Sequence, residues 1–227
     1  MLPDVITFVA IAIPAVIAIT FHEAAHGYAA LAFGDPTAAE HGRLSLNPLK
    51  HVDPFGTVVL PIMLMLAGAP VLGWAKPVPV NFNRLRSPKS DMVWVAVAGP
   101  AMNIALAFVA AGVFHMVGPD PDGWPAFAHL MAVNGLTINV LLAVFNMIPL
   151  PPLDGSRVAV GLLPVGPARR LARLEKYGML ILIGVLILLP WLGGKIGLDL
   201  DVFGRVVPPI VDGIVEQIAR VTAPGGP

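Results

Sequence analysis

Long apolar stretches alternate with short polar segments along this chain. Stretches with at most two formal charges cover residues 4–33, 92–118, 126–148 and 177–193. A helix needs about 20 predominantly apolar residues to cross the ~30 Å hydrocarbon core of a bilayer. Residues 55–74 are also apolar, although they contain two prolines and three glycines. The pattern predicts an all-α polytopic membrane protein with about four to six transmembrane helices.

The amino-acid composition also indicates a membrane protein. Of the 227 residues, 56% are hydrophobic and only 12% are charged, whereas soluble domains carry about 25% charged residues. Lysine plus arginine and aspartate plus glutamate both number 14, so nucleic acid is not an expected partner. The chain has no cysteine, which excludes thiolate ligands and thiol catalysis. We expect one domain over residues 1–227.

The basic residues predict how the chain is oriented in the membrane. Eleven of the 14 lysines and arginines lie in residues 34–53, 75–90 and 149–176, and none lies in 119–125. Basic loops face the cytoplasm, so we expect these three segments inside the cell. Because 34–53 and 75–90 then share one side, residues 55–74 are expected to re-enter or form a hairpin between the first two full spans.

Two further elements are expected after the basic segment. Residues 177–193 predict a C-terminal span. Residues 203–221 are mildly amphipathic, which is typical of a helix that lies at the membrane interface.

The first apolar stretch contains a short polar sequence whose side chains could bind a metal and act in catalysis. Glu23 is its only formally charged residue between Asp4 and Asp35, and a charge at the centre of a membrane helix costs about 2.5–3.5 kcal/mol. His22 and His26 flank it at the i, i+4 spacing that places both imidazoles on one helix face. Two such histidines can bind zinc while the glutamate acts as general base. Alternatively, the histidines bond helix carbonyls and Glu23 is protonated.

A catalytic zinc usually has three protein ligands and one position for water, so a third ligand is required. Asp154 is favoured, because it follows the predicted cytoplasmic end of 126–148 after a proline-rich break. It could instead cap a helix. The loop residues His41 and His51 are expected at the surface. The full set of candidates is His41, His51, His115, His129, Asp154 and Glu175.

Two motifs taken together resemble the site-2 protease family of intramembrane zinc metalloproteases. They are the HEAAH sequence at 22–26 and the NMIPLPPLDG sequence at 146–155. The GPAMN sequence at 99–103 is similar to the family's middle-helix motif. Polar sequences at 47–54 and 73–81 resemble the compact prokaryotic subgroup, which lacks PDZ and CBS domains. The resemblance implies a catalytic core at about residues 4–160.

The resemblance also implies residue roles. His22, His26 and Asp154 would bind one zinc ion per chain, and Glu23 would be the general base. Asn103 would hold the substrate backbone, although an asparagine in a membrane helix also commonly forms interhelical hydrogen bonds. The implied activity is hydrolysis of membrane-spanning protein substrates near the cytoplasmic side of the cell membrane.

Two other functions fit the same residues. The first is a non-catalytic zinc-binding scaffold or metal-handling protein, which would need the ligands but not the glutamate. The second is a different membrane-anchored zinc protease with a glutamate as third ligand, for which Glu40, Glu175 and Glu216 are available. If the chain is a protease, a hairpin from 36–53 or 70–82 could hold an unwound substrate by main-chain hydrogen bonds.

Overall fold

Helices account for nearly all regular structure in this computed structural model, which describes residues 5–59, 62, 63, 66, 75–118 and 123–225. Within those residues there is no β-strand. Short 3-10 turns occur at Pro48–Lys50, Phe82–Arg84 and Glu175–Tyr177, and π turns at Pro54–Val59 and Gly184–Leu188. The α-helices are α1 (Val5–Ala32), α2 (Thr37–Glu40), α3 (Pro88–Val117), α4 (Trp124–Asn146), α5 (Asp154–Leu162), α6 (Val165–Leu174), α7 (Gly178–Ile183), α8 (Leu189–Ile196) and α9 (Val202–Thr222).

Four helical segments are long and apolar enough to cross a membrane. They are α1, α3, α4 and the segment Val165–Ile196, which runs through α6, α7 and α8. The last of these includes the predicted span at 177–193 but begins earlier, in the basic segment. The prediction of an all-α, multi-pass membrane protein is therefore confirmed.

Small side chains bring α1, α3 and α4 together. Ala10, Pro14 and Ala18 are buried on α1, and their four-residue spacing places them in one stripe along the helix. The same stripe continues through His22 and His26, which are also buried. Small residues let helix backbones approach closely in a membrane. This close packing carries the two histidines into the centre of the helix bundle.

Helix α9 differs from its expectation as an interfacial helix. Its Val207, Val211 and Ile218 are buried in one cluster with residues of α3 and α4. Phe203 packs edge-to-face against Phe145 at the C-terminal end of α4, whereas the Ala219 carbonyl accepts a hydrogen bond from His115 near the C-terminal end of α3.

Because α3 and α4 are joined by a short connection and pack against each other, those two C-terminal ends lie at opposite ends of the helix pair. Helix α9 therefore runs along the bundle rather than across its end. An apolar stripe at helical spacing packs equally well on protein or lipid, so the sequence could not distinguish the two positions.

Parts of two predicted segments lie outside the described residues. Most of the predicted re-entrant region 55–74 is among them, although 55–59 belong to the π turn that begins at Pro54. Residues 119–122, in the segment 119–125 that has no lysine or arginine, also lie outside. Re-entry of 55–74 therefore stays a prediction.

Candidate metal centre

Three of the predicted site residues meet inside the bundle. The Nε2 atoms of His22 and His26 lie 3.1 Å apart. Each lies 3.2 Å from Oδ2 of Asp154. All three residues are buried. Residues 132 positions apart in the chain therefore present three ligand atoms to one point.

The spacing of these three atoms fits a tetrahedral metal ion. Zinc binds histidine nitrogen and carboxylate oxygen at about 2.0–2.1 Å. Two ligands of a regular tetrahedron with that radius lie about 3.3–3.4 Å apart. The observed separations of 3.1–3.2 Å are close to this value. Two imidazoles and one carboxylate, with a fourth position open, are also the donor set of a catalytic zinc site.

Both imidazoles are held by hydrogen bonds through their other nitrogen. His22 Nδ1 lies 2.5 Å from the Oδ1 atom of Asn103, and His26 Nδ1 lies 2.7 Å from the carbonyl oxygen of Val95. Both partners are acceptors, so each Nδ1 carries the proton. Each Nε2 lone pair is then free for a metal, and such outer hydrogen bonds orient metal-binding histidines.

Gly99 makes room for the two imidazoles against α3. A Cβ atom at this position would lie 2.5 Å from Nε2 of His26 and 2.6 Å from Nε2 of His22. Both distances are far below van der Waals contact, which is about 3.5–4.0 Å for carbon. The rings can therefore lie directly over the α3 backbone only because residue 99 has no side chain.

Asn103 lies beneath this site with its whole side chain buried. Its Oδ1 atom faces His22, while its Nδ2 atom donates to the Ala18 carbonyl at 3.2 Å and to Oδ1 of Asn139 at 2.9 Å. These are the interhelical hydrogen bonds named above as the alternative role of Asn103. Contact between Asn103 and a substrate backbone stays a prediction. In this buried position the Asn103 side chain exposes no donor or acceptor to a substrate.

Asp154 is the first residue of α5, just beyond the proline-rich turn that ends α4. Its two oxygens have different partners. Oδ2 faces the histidines, and Oδ1 lies 3.9 Å from Nη1 of Arg157. Arg157 also donates from Nη2 to Glu175 at 3.1 Å. Asp154 therefore points a carboxylate oxygen at the histidines. It does not cap the helix, because Leu153 is the N-cap residue and no side chain makes a capping hydrogen bond.

Glu23 lies beside the ligands at the edge of a cavity of about 290 Å³. This cavity is also lined by all three candidate ligands, Arg157 and Asn146. The Oε2 atom of Glu23 accepts a hydrogen bond from the backbone N–H of Val78 at 2.8 Å. A carboxylate next to a metal site and facing an open cavity can accept a proton from water held there.

The other candidate ligands lie elsewhere in the described structure. Each of the other four histidines bonds a backbone carbonyl: His41 that of Thr37, His51 that of Ser45, His115 that of Ala219 and His129 that of Gly118. His51 is buried rather than at the surface as predicted, with its Nε2 held 2.7 Å from the Ser45 carbonyl oxygen. The three alternative glutamates each pair with an arginine: Glu40 with Arg84, Glu175 with Arg157 and Glu216 with Arg220.

Besides the role of Gly99, sequence reasoning missed three contributors to this site. The Val95 carbonyl and the Val78 N–H are backbone groups, which leave no trace in residue identity. Arg157 could have been noticed, because it follows Asp154 by three residues and i, i+3 positions share a helix face.

Comparison with known proteins gives named relatives, although no established protein-family profile and no solved structure matches the chain. A Bacillus subtilis protein, YwhC, is 36% identical over 211 residues, which cover 86% of this chain and 91% of that protein. Rip2 of Mycolicibacterium smegmatis is 32% identical over 73% of this chain and 62% of its own length. MJ0611 of Methanocaldococcus jannaschii is 39% identical over 64 residues, which cover 28% of this chain and 31% of that protein. All three bear the name "Putative zinc metalloprotease".

Proposed function

The chain belongs to the zinc metalloprotease family of YwhC, and we propose that it is an intramembrane endopeptidase of the site-2 protease type. It would hydrolyse peptide bonds of membrane-spanning proteins near the cytoplasmic side, with one zinc ion per chain. The observation that carries this proposal is a buried candidate metal site, two of whose three residues lie on a helix of membrane length.

The depth of the site supports this proposal. His26 and His22 precede the last residue of α1 by six and ten positions. At about 1.5 Å per residue they lie roughly 9 and 15 Å from that end of the helix. The end leads into the basic segment 34–53, which the positive-inside rule assigns to the cytoplasm. A cut at this depth would fall within the cytoplasmic half of a substrate helix.

Different residues of the site would bind zinc, orient its ligands and transfer the proton. His22, His26 and Asp154 would hold the zinc ion, which when bound polarises a carbonyl and lowers the pKa of a bound water. Asn103 and the Val95 carbonyl fix the ring orientations of the two histidines. Glu23 faces the cavity and would take a proton from the attacking water and pass it to the leaving amine.

A substrate must be partly unwound before it can reach Glu23, because a membrane helix satisfies its own backbone hydrogen bonds. Residues 75–81, which we name the strap, belong to the described part of the predicted 70–82 hairpin. Pro77, Val78 and Val80 of this strap line the cavity beside Glu23. An unwound substrate could accordingly lie between the strap and the ligands. Since Pro77 and Pro79 have no N–H, these two residues could contribute only carbonyl acceptors.

The direct test is cleavage by purified, reconstituted protein. The probes are fluorescent single-span peptides whose apolar segment contains Asn and Gly, which ease unwinding. We expect the wild type to cut within the apolar segment, as read by mass spectrometry, and Glu23→Gln to bind zinc without cutting. Zinc binding by the wild type with no cleavage of any such peptide would contradict the protease proposal and favour a metal-binding scaffold.

A further inference from the structure

The backbone of the strap donates a hydrogen bond to the Glu23 carboxylate. We infer that the backbone N–H of Val78 positions the Glu23 carboxylate for proton transfer, an inference that rests on the proposed protease function. Val78 N lies 2.8 Å from Oε2 of Glu23, and Val78 is 7% exposed. The bond occupies one carboxylate oxygen and restricts rotation of the group, which leaves Oε1 to receive a proton.

The strap is anchored on both sides of Val78, independently of Glu23. Lys76 donates its backbone N–H to the His51 carbonyl at 2.8 Å, and Arg43 donates to the Lys76 carbonyl at 2.7 Å. On the other side, Asn81 donates its N–H to Oδ2 of Asp35 at 2.6 Å. These hydrogen bonds therefore fix the position of the Val78 N–H without any contribution from Glu23.

Asp35 is a fixed part of that anchor. It is fully buried. Burial alone would raise the pKa of Asp35, but hydrogen bonds from Thr37 and from the Asn81 N–H hold it below its ordinary value. The carboxylate therefore stays ionised and keeps accepting from Asn81 at neutral pH.

The local sequence makes Val78 a specific donor. Prolines at 77 and 79 have no N–H, so Val78 carries the sole backbone donor among these three residues. A residue before proline is also biased toward an extended conformation, which applies to both Lys76 and Val78. The sequence thus presents one donor on a stiff, extended piece of chain.

Gly27 allows the strap to lie against α1 one helical turn from Glu23. It follows Glu23 by four residues, so both lie on the same helix face. A Cβ atom on Gly27 would lie 2.9 Å from Cγ1 of Val78 and 2.6 Å from Cδ2 of Leu44. The bare α-carbon therefore allows Val78 to pack against α1 one turn beyond the carboxylate that it holds.

The test compares two substitutions at one position. Val78→Ala keeps the N–H and removes side-chain packing, whereas Val78→Pro removes the N–H and suits the extended backbone before Pro79. We expect kcat of Val78→Pro to be about 10- to 100-fold below that of Val78→Ala, since small displacements of a catalytic group cost this much. KM for the single-span peptide and zinc content should stay within about twofold. Equal kcat values for the two variants would overturn the inference.

A second measurement does not depend on activity. Thermal unfolding is compared for wild type, Val78→Pro, Glu23→Ala and the double variant. If the N–H acts on Glu23, Val78→Pro lowers Tm in the wild-type background and has a much smaller effect when Glu23 is absent. An equal Tm decrease in both backgrounds would overturn the inference. This measurement also separates the inference from the protease proposal, because it remains informative if the wild type cuts no peptide.

If Val78→Pro does not fold, Gly27→Ala replaces it, because the added methyl group displaces the strap while every N–H is retained. The expected result is a folded, zinc-binding protein with kcat reduced about tenfold or more. Wild-type kcat in Gly27→Ala would contradict the positioning role.

Discussion

Gly99→Ala should disrupt the candidate metal site without altering any of its three candidate ligands. The new Cβ atom would lie 2.5–2.6 Å from the Nε2 atoms of both histidines, about 1 Å inside van der Waals contact. Either the imidazoles or α3 must move by roughly that distance. Metal–ligand distances tolerate only about ±0.2 Å, and the hydrogen bonds of the two rings to Asn103 and Val95 would lengthen as well. Loss of such outer contacts alone costs about 10- to 100-fold in metal affinity.

The assay is competition for zinc between the purified protein and a chelator of known affinity. Gly112→Ala is the matched control, because it lies on the same helix and a Cβ atom there meets nothing within 4 Å. We expect Gly112→Ala to bind zinc like the wild type and Gly99→Ala to bind at least tenfold more weakly. Wild-type zinc affinity in Gly99→Ala would refute the close approach of the imidazoles to α3.

Two more predictions concern Asn103 and the strap anchor. Asn103→Leu should weaken zinc binding about 10- to 100-fold because His22 loses its Nδ1 partner, whereas Asn103→Asp, which keeps an acceptor, should retain more affinity. If Asn103→Leu instead raised KM with zinc affinity unchanged, Asn103 would contact the substrate as the sequence predicted. Because the pKa of Asp35 is lowered in the folded protein, its contribution to stability should be present above the unfolded pKa near 3.9 and lost as pH falls further. A Tm series from pH 7 to 3 should therefore show a smaller decrease for Asp35→Asn than for the wild type, and parallel curves would contradict this role.

The convergence of His22, His26 and Asp154 was predictable because these residues have a strong sequence signature. The i, i+4 spacing of His22 and His26 places two rings on one helix face by geometry alone, and a charge such as Glu23 in an apolar helix requires a reason. Asp154 was predictable less directly, from the breaks in the chain and the expected orientation of α4. In each case the residue type itself carries the chemistry.

The supporting groups were harder to predict because they depend on tertiary contact. Val78 and Val95 act through their backbone, so their side chains give no signal. Gly99 matters because it has no side chain, which leaves room for the imidazoles. The path of α9 was also hidden, since its apolar stripe fits either a bilayer surface or the grooves of α3 and α4. Only packing distinguishes these choices.

We propose that His22, His26 and Asp154 together hold one zinc ion. We would measure zinc per chain in detergent-purified protein by elemental analysis, for the wild type and for Asp154→Ala. Asp212→Ala is the control, because Asp212 is an exposed carboxylate on α9. We expect about one zinc in the wild type and in Asp212→Ala, and little or none in Asp154→Ala. Tight zinc binding by Asp154→Ala, or none by the wild type after reconstitution with zinc, would contradict it.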